Sequence, residues 1–155
     1  MISEDIWNSM IVPGIGDAEF DWFGIDQNGH LGAFSTFNRG YIPDLVKSSR
    51  IEYLELLTAI ENLPFRFKVQ LITKEKGWFD DWLEYSQQGL IGFDYQDVHR
   101  TVKTGIFELI SKPEKLINVS ELGINSNLIK KMPKFNLSFN QDKGIDEKEL
   151  KNKIA

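Results

Sequence analysis

The sequence predicts a single α+β domain, in which an antiparallel β-sheet with a central hairpin packs against one to three helices. Two patterns lead to this class. Apolar, β-favouring residues flank Asn28-Gly29, and residues 49–63 repeat apolar positions at helical spacing. The 155 residues contain no internal repeat and no linker long enough to separate two domains. We therefore expect one domain over residues 1–140 and a charged tail over residues 141–155.

The predicted hairpin occupies residues 19–43 and is the most strongly determined segment of the chain. A type I′ turn at Asn28-Gly29 would place Ile25 opposite Gly32 and Phe23 opposite Phe34, because opposed positions count outward from the turn. Both faces of this pairing carry apolar side chains. The hairpin is therefore expected at the centre of the sheet.

Three helices are predicted, over residues 2–10, 49–63 and 78–88. Ser3 and Ser49 stand where an N-cap is needed, and Gly89 suits a left-handed stop after the third helix. In the third helix the aromatic side chains are expected in the core or at its rim, with an exposed binding patch as the alternative. The second helix is expected to bury one stripe, formed by Ile51, Leu54, Leu57, Ile60 and Leu63.

Four further segments have strand patterns, at residues 66–73, 90–95, 105–110 and 134–140. The first is expected at a sheet edge, because only one of its faces is apolar. The second and third are expected to pair antiparallel. Residues 141–155 are charged and nearly free of apolar side chains, which predicts a frayed helix or a disordered tail.

The net charge of −5 is unevenly distributed along the chain. Residues 1–97 contain 7 Lys and Arg against 16 Asp and Glu, whereas residues 98–155 contain 11 against 7. A nucleic-acid surface needs clustered basic residues, so the acidic part argues against that partner. A cationic protein partner suits it better.

Several other classes have little support in the sequence. Cysteine is absent, which excludes disulfides and thiolate metal sites and suits a reducing compartment. We expect a cytoplasmic protein without a membrane span, because no run approaches the roughly 20 apolar residues required. No metal or cofactor is expected, since the calcium-loop pattern that starts at Asp26 ends on Phe37 instead of an acid.

The candidate binding residues are polar groups in or beside the predicted strands. Asp21 and Asp94 each interrupt an apolar strand, and a buried carboxylate needs partners, which loop amides, Arg39 or Arg100 could supply. The only histidines are His30 and His99, and both stand beside predicted turns. The candidate set is Glu19, Asp21, Asp26, His30, Arg39 and Asp94.

Two groups of residues form a familiar pattern. The first half contributes Asp21-Trp22-Phe23, Asp26, Gly29, Phe34, Gly40 and Pro43, and the second contributes Trp82, Gly89-Leu90, Phe93-Asp94 and Pro113. Together they resemble an uncharacterised family of small bacterial cytoplasmic proteins. The resemblance spans residues 20–113. In this pattern an arginine often precedes the Gly-Leu pair, whereas this chain has Gln88. The small, acidic, cysteine-free character is also similar to that of immunity proteins.

The sequence therefore favours a non-enzymatic protein-binding domain, of the kind that inhibits a basic toxin by covering it with carboxylates. One alternative is a small hydrolase in which Asp21, Asp94 and a histidine converge in one pocket. Another is a structural or regulatory subunit, which would need a sizeable exposed apolar patch.

Overall fold

The structure is a computed structural model and describes residues 2–12, 19–37, 39–96 and 101–155. It confirms the α+β class. The described residues form six α-helices, more than the one to three predicted, and a six-stranded sheet. In chain order the elements are α1 (Glu4–Ile11), β1 (Asp21–Ile25), β2 (Leu31–Ser35), α2 (Asp44–Lys47), α3 (Arg50–Glu61), β3 (Val69–Leu71), α4 (Asp80–Gln87), β4 (Ile91–Tyr95), β5 (Ile106–Pro113), a 3₁₀ turn (Val119–Glu121), α5 (Ser126–Lys131), β6 (Ile145–Asp146) and α6 (Glu147–Asn152).

The sheet is mixed, so the prediction of a purely antiparallel sheet is wrong at one pair of strands. The strand order is β1-β2-β4-β5-β3, with β6 pairing β5. β2 and β4 run parallel, because the chain passes through α2, α3, β3 and α4 between them, and a parallel pair requires a long crossover. β3 is at an edge, as predicted, and β4 and β5 pair antiparallel, as predicted.

The hairpin forms, but its turn and its register differ from the prediction. Trp22 pairs with Phe34 and Ile25 with Leu31, and of the two predicted turn residues only Gly29 has a positive φ, of 82°. The Asp26 backbone N–H donates to the His30 carbonyl oxygen at 3.0 Å, so the loop between this pair has three residues, 27–29, instead of two. The Asp26 carboxylate stabilises the loop by accepting hydrogen bonds from the backbone N–H groups of Asn28 and His30. β2 lies inside the sheet, while β1 ends the strand order and is not central.

Aromatic rings fix the register of three neighbouring strands. Trp22 of β1 stacks on Phe34 of β2 with ring centroids 4.1 Å apart, and Phe34 stacks on Phe93 of β4 at 4.6 Å. Phe139, in the 133–140 segment, contacts Phe34 edge-on and covers this face of the sheet. The predicted strand over residues 134–140 is wrong, although the alternation behind it is visible as burial of Phe135, Leu137 and Phe139.

Local capping signals locate the helices well. Ser3 caps α1 through a hydrogen bond from the Ile6 backbone N–H, and Ser49 caps α3 in the same way. The predicted stripe on α3 is rotated, because Ile51 is 67% exposed while Tyr53 is buried. Tyr53 packs against the rings of Trp7 and Phe20, so the face of α3 that carries Tyr53 is the one that packs on the core.

The C-terminal segment contains a helix, α6, as one of the two predicted alternatives has it, but from Ile145 to Asn152 it is docked on the domain and is neither frayed nor disordered. β6 pairs with β5, and the side chains of Ile145 and Leu150 are fully buried. The backbone N–H of Glu147 donates to the carbonyl oxygen of Gly105 at 2.8 Å, and Ala155 is bonded to Lys134. The segment docks because it buries two apolar side chains and because its backbone pairs with that of β5.

No helix in the described ranges has the length and apolar character needed to cross a membrane.

Candidate functional site

Four polar residues lie in one row across four neighbouring strands. Asp21 of β1 pairs with Ser35 of β2, Ser35 with Asp94 of β4, and Asp94 with Glu108 of β5. Directly paired residues point to the same face of a sheet. This polar row stands next to the row of stacked rings and points to the opposite face, since neighbouring residues in a strand alternate. The ring stacking that sets the register therefore also aligns the carboxylates.

The polar row opens into a cleft of about 180 Å³ between the strand ends and the first turn of α4. We call it the row cleft. Four of its side chains are carboxylates, and most of the others are aromatic. It is lined by Glu19, Phe20, Asp21, Ser35, Phe37, Asp81, Trp82, Asp94, Tyr95 and Gln96.

Asp21 is held by two tyrosines. The Tyr85 hydroxyl donates to its carboxylate at 2.5 Å, and the Tyr53 hydroxyl donates to its backbone oxygen at 2.6 Å. Burial raises the pKa of Asp21, and hydrogen bonds from Tyr85 and Ser35 partly offset that effect. Burial, followed by the Asp21 charge, raises the pKa of Tyr85. Asp21 is therefore an oriented carboxyl group whose charged form is disfavoured by burial.

Asp94 is a second carboxyl group of the row with a raised pKa. Burial, the Glu108 charge and the Asp21 charge together raise its pKa to about 7. Glu108 is fixed in place, because it accepts hydrogen bonds from the Thr73 hydroxyl and from the Gln96 amide. Near neutral pH, Asp94 exchanges readily between its charged and neutral forms.

A second cleft, of about 200 Å³, lies on the other side of Asp21. We call it the helix cleft. It shares Asp21 and Asp81 with the row cleft, and among the described residues neither cleft is lined by Lys or Arg. The helix cleft is lined by Asp21, Glu61, Phe65, Asp81, Glu84, Tyr85 and Gln88.

Gln88 has a structural role at the edge of the helix cleft. Its side-chain amide donates to the backbone oxygens of Ile60, at 2.8 Å, and Leu63, at 3.1 Å, at the end of α3. The Ile60 carbonyl oxygen also accepts from the Leu63 backbone N–H at 3.0 Å, so Gln88 adds a further donor where the chain leaves α3.

Asp26 and His30 lie at the other end of the hairpin and do not join Asp21 and Asp94. Asp26 follows β1, about 16 Å from Asp21 at the usual rise of a strand. Its second carboxylate oxygen accepts from the Phe139 backbone N–H at 2.9 Å and lies 3.4 Å from Nδ1 of His30. The contacts of Asp26 therefore hold the hairpin loop against the 133–140 segment.

The remaining sequence candidates are divided between two places. Glu19 lines the row cleft, whereas Arg39 lines a separate cleft of about 540 Å³ beside α2 and α6. His99 and Arg100 lie outside the described residues. The structure thus brings together three of the six candidates, Glu19, Asp21 and Asp94.

Sequence reasoning missed Asp81, Glu84 and Glu108. Asp81 and Glu84 are exposed on α4 and look like ordinary solvated helix residues. Glu108 did carry a signal, because it interrupts an apolar strand as Asp94 does. Within the residues that the structure describes, no three His, Asp or Glu side chains are grouped so as to hold a metal ion.

The fold and the two clefts define an α+β protein with a carboxylate-rich, aromatic-walled surface at the start of α4. No protein-family model matches the chain, and neither curated proteins nor solved structures include a significant match.

Proposed function

We propose that the protein binds a cationic protein partner, whose Lys or Arg side chains enter the row cleft and the helix cleft. One observation carries this proposal: the two adjoining clefts share Asp21 and Asp81, and their described lining has six carboxylates without a basic side chain. A surface of this kind attracts basic groups from a distance and repels acidic ones.

The raised pKa values give a physical reason why a cation would be favoured. Burial, and after it the charges of Glu108 and Asp21, disfavour the anionic form of Asp94 and raise its pKa. A Lys or Arg side chain in the row cleft would replace part of this repulsion with attraction, and would lower the pKa of Asp94. Binding energy would then come from relieving repulsion that already exists in the free protein.

The most specific form of this proposal is that the partner is a basic toxin and that this protein is its immunity-type inhibitor. The first 97 residues carry the acidic excess, and both clefts are built from that part of the chain. An inhibitor that acts by covering a basic surface needs charge complementarity and no catalytic group.

Capture from the native host, followed by surface-plasmon kinetics, tests the proposal. Replacing Asp81 and Glu84 with their amides should slow association with the captured partner about tenfold at low salt, because electrostatic steering is lost. The matched control replaces Glu55 and Asp142, exposed carboxylates outside both clefts, and should associate like wild type. A partner whose association rate is insensitive to the cleft substitutions and to salt would exclude this function.

A second candidate function is a carboxylate-based hydrolase. It is favoured by the position of Asp21 and Asp94 in one cleft, where an Asp94 pKa of about 7 suits a general acid or base near neutral pH. Hydrolysis of chromogenic glycosides, esters or phosphates that disappears in Asp94→Asn would support it. Turnover that is equal in wild type and Asp94→Asn would remove it.

A further inference from the structure

Two large aromatic side chains are exposed near the two ends of α4. Trp78, two residues before the helix, is 80% exposed, and Phe65 is 60% exposed. Phe65 is held near the other end, because the next backbone N–H, of Arg66, donates to the carbonyl oxygen of Gln87 at 2.9 Å. Exposing rings of this size costs free energy that a partner could recover.

Carboxylates occupy the outer face of α4 between these rings. Asp80, Asp81 and Glu84 are all exposed, and Asp81 and Glu84 line the helix cleft together with Phe65. Trp78 is three residues from Asp81, within about 11 Å along the backbone. We call the set of Phe65, Trp78, Asp80, Asp81 and Glu84 the α4 surface.

The α4 surface differs from the other exposed apolar side chains. Phe65 lines the helix cleft, and Trp78 lies two residues before the exposed carboxylates of α4. By contrast, Ile51 and Val102, which are 67% and 77% exposed, line neither cleft. Single exposed apolar residues are common on protein surfaces and need no explanation. An aromatic ring in a groove of carboxylates resembles instead the arrangement of interface hot spots, in which aromatic anchors adjoin polar groups.

We propose that the α4 surface binds a basic segment of the partner that has an apolar side chain on each side of its basic residues. This inference rests on the proposed function and specifies the partner's chemistry. The carboxylates attract the basic residues, and Phe65 and Trp78 contact the flanking apolar side chains. The eight residues of α4 span about 12 Å and Trp78 lies two residues before them, so an extended segment needs at least about four residues to reach from one ring to the other.

Two synthetic peptides of equal charge test the inference. The first is Gly-Leu-Lys-Lys-Lys-Leu-Gly, with leucines four residues apart, and the second has glycine in place of both leucines. Dissociation constants are measured by NMR titration at low ionic strength. Wild type should bind the leucine peptide about tenfold more tightly, which corresponds to about 1.4 kcal/mol shared between the two anchoring contacts.

The preference should fall to about twofold or less when Phe65 and Trp78 are both replaced by alanine. Ile51→Ala is the matched control and should keep the full preference, because Ile51 is similarly exposed but lies on α3. Acrylamide quenching gives a second readout: the exposed indole of Trp78 should become protected by the leucine peptide and not by the glycine peptide.

The outcomes separate this inference from the proposed function. Equal affinity of wild type for both peptides, or a preference that survives in the double alanine variant, overturns the role of the two rings alone. Binding of neither peptide, or binding that Asp81→Asn with Glu84→Gln leaves unchanged, overturns the cationic partner and this inference together.

Discussion

At the residue scale, Asp94 shows how strand register creates an unusual carboxyl group. Sequence reasoning singled out Asp21 and Asp94 because each interrupts an apolar strand, and the structure brings both into the row cleft. It could not foresee that Glu108 pairs directly with Asp94, since that contact depends on the register of β4 and β5. Asp81 and Glu84 carry no local sign of their role, because exposed helical carboxylates are ordinary.

Asp94 should reduce stability as the pH rises. Its folded pKa of about 7 lies above the ordinary aspartate value of 3.8, so the folded protein holds this proton more tightly than the unfolded chain does. The stabilising contribution is therefore complete below about pH 4 and is lost as the pH rises towards 7.

Asp94→Asn should consequently gain in free energy of unfolding, relative to wild type, between pH 4 and pH 8, by at most about 4 kcal/mol. Urea titration at both pH values measures the gain, with Asp142→Asn as the exposed control. A difference between Asp94→Asn and wild type that stays constant with pH would contradict the assigned environment.

Gly29 should tolerate a side chain much less well than Gly123. Both residues have a φ of 82°, so the backbone strain of an alanine is the same at the two positions. A Cβ at Gly29 would lie 2.3 Å from Nδ2 of Asn118, whereas at Gly123 it would meet no atom within 4 Å.

Gly123→Ala should cost about 1–2 kcal/mol, and Gly29→Ala should cost more, because Asn118 must also move. Thermal and denaturant unfolding of the two variants measure the difference. Equal losses would mean that the hairpin loop does not pack against Asn118.

At the scale of the elements, local signals were predictive and distant contacts were not. Ser3 and Ser49 identified two helix starts, because capping involves only neighbouring residues. The prediction of the hairpin turn was wrong because the turn geometry depends on Asp26. One carboxylate oxygen of Asp26 accepts a hydrogen bond from the backbone N–H of Phe139, a residue far away in the sequence. The docking of the C-terminal segment was also missed, since a charged sequence with two buried apolar residues resembles a disordered tail.

The C-terminal segment should contribute measurably to stability. Leu150 is completely buried on α6, and Leu150→Ala should cost about 2–5 kcal/mol as a large-to-small change in the core. Lys148→Ala on the exposed side of α6 is the matched control and should cost less than about 0.5 kcal/mol. If the two variants share one unfolding midpoint, α6 does not dock as described.

At the scale of the whole molecule, the α+β class followed from the sequence, but the mixed sheet did not. Nothing local to β2 or β4 indicates that they pair in parallel, because the intervening crossover spans residues 36–90. This pair places Ser35 beside Asp94. It thereby aligns Asp21, from the start of the acidic residues 1–97, with Asp94, from their end, in one row. The uneven charge of the chain becomes a localised acidic surface only through that topology.

The most direct test of the cation-binding claim is the titration of Asp94 with and without a bound cation. Carboxyl carbon NMR should give a midpoint near pH 7 for the free protein. With a saturating peptide containing three lysines the midpoint should fall by about one unit, since a nearby positive charge favours the carboxylate. A midpoint that stays near 7 while the peptide is bound would show that cations bind elsewhere on the surface, and would contradict the account of the two clefts.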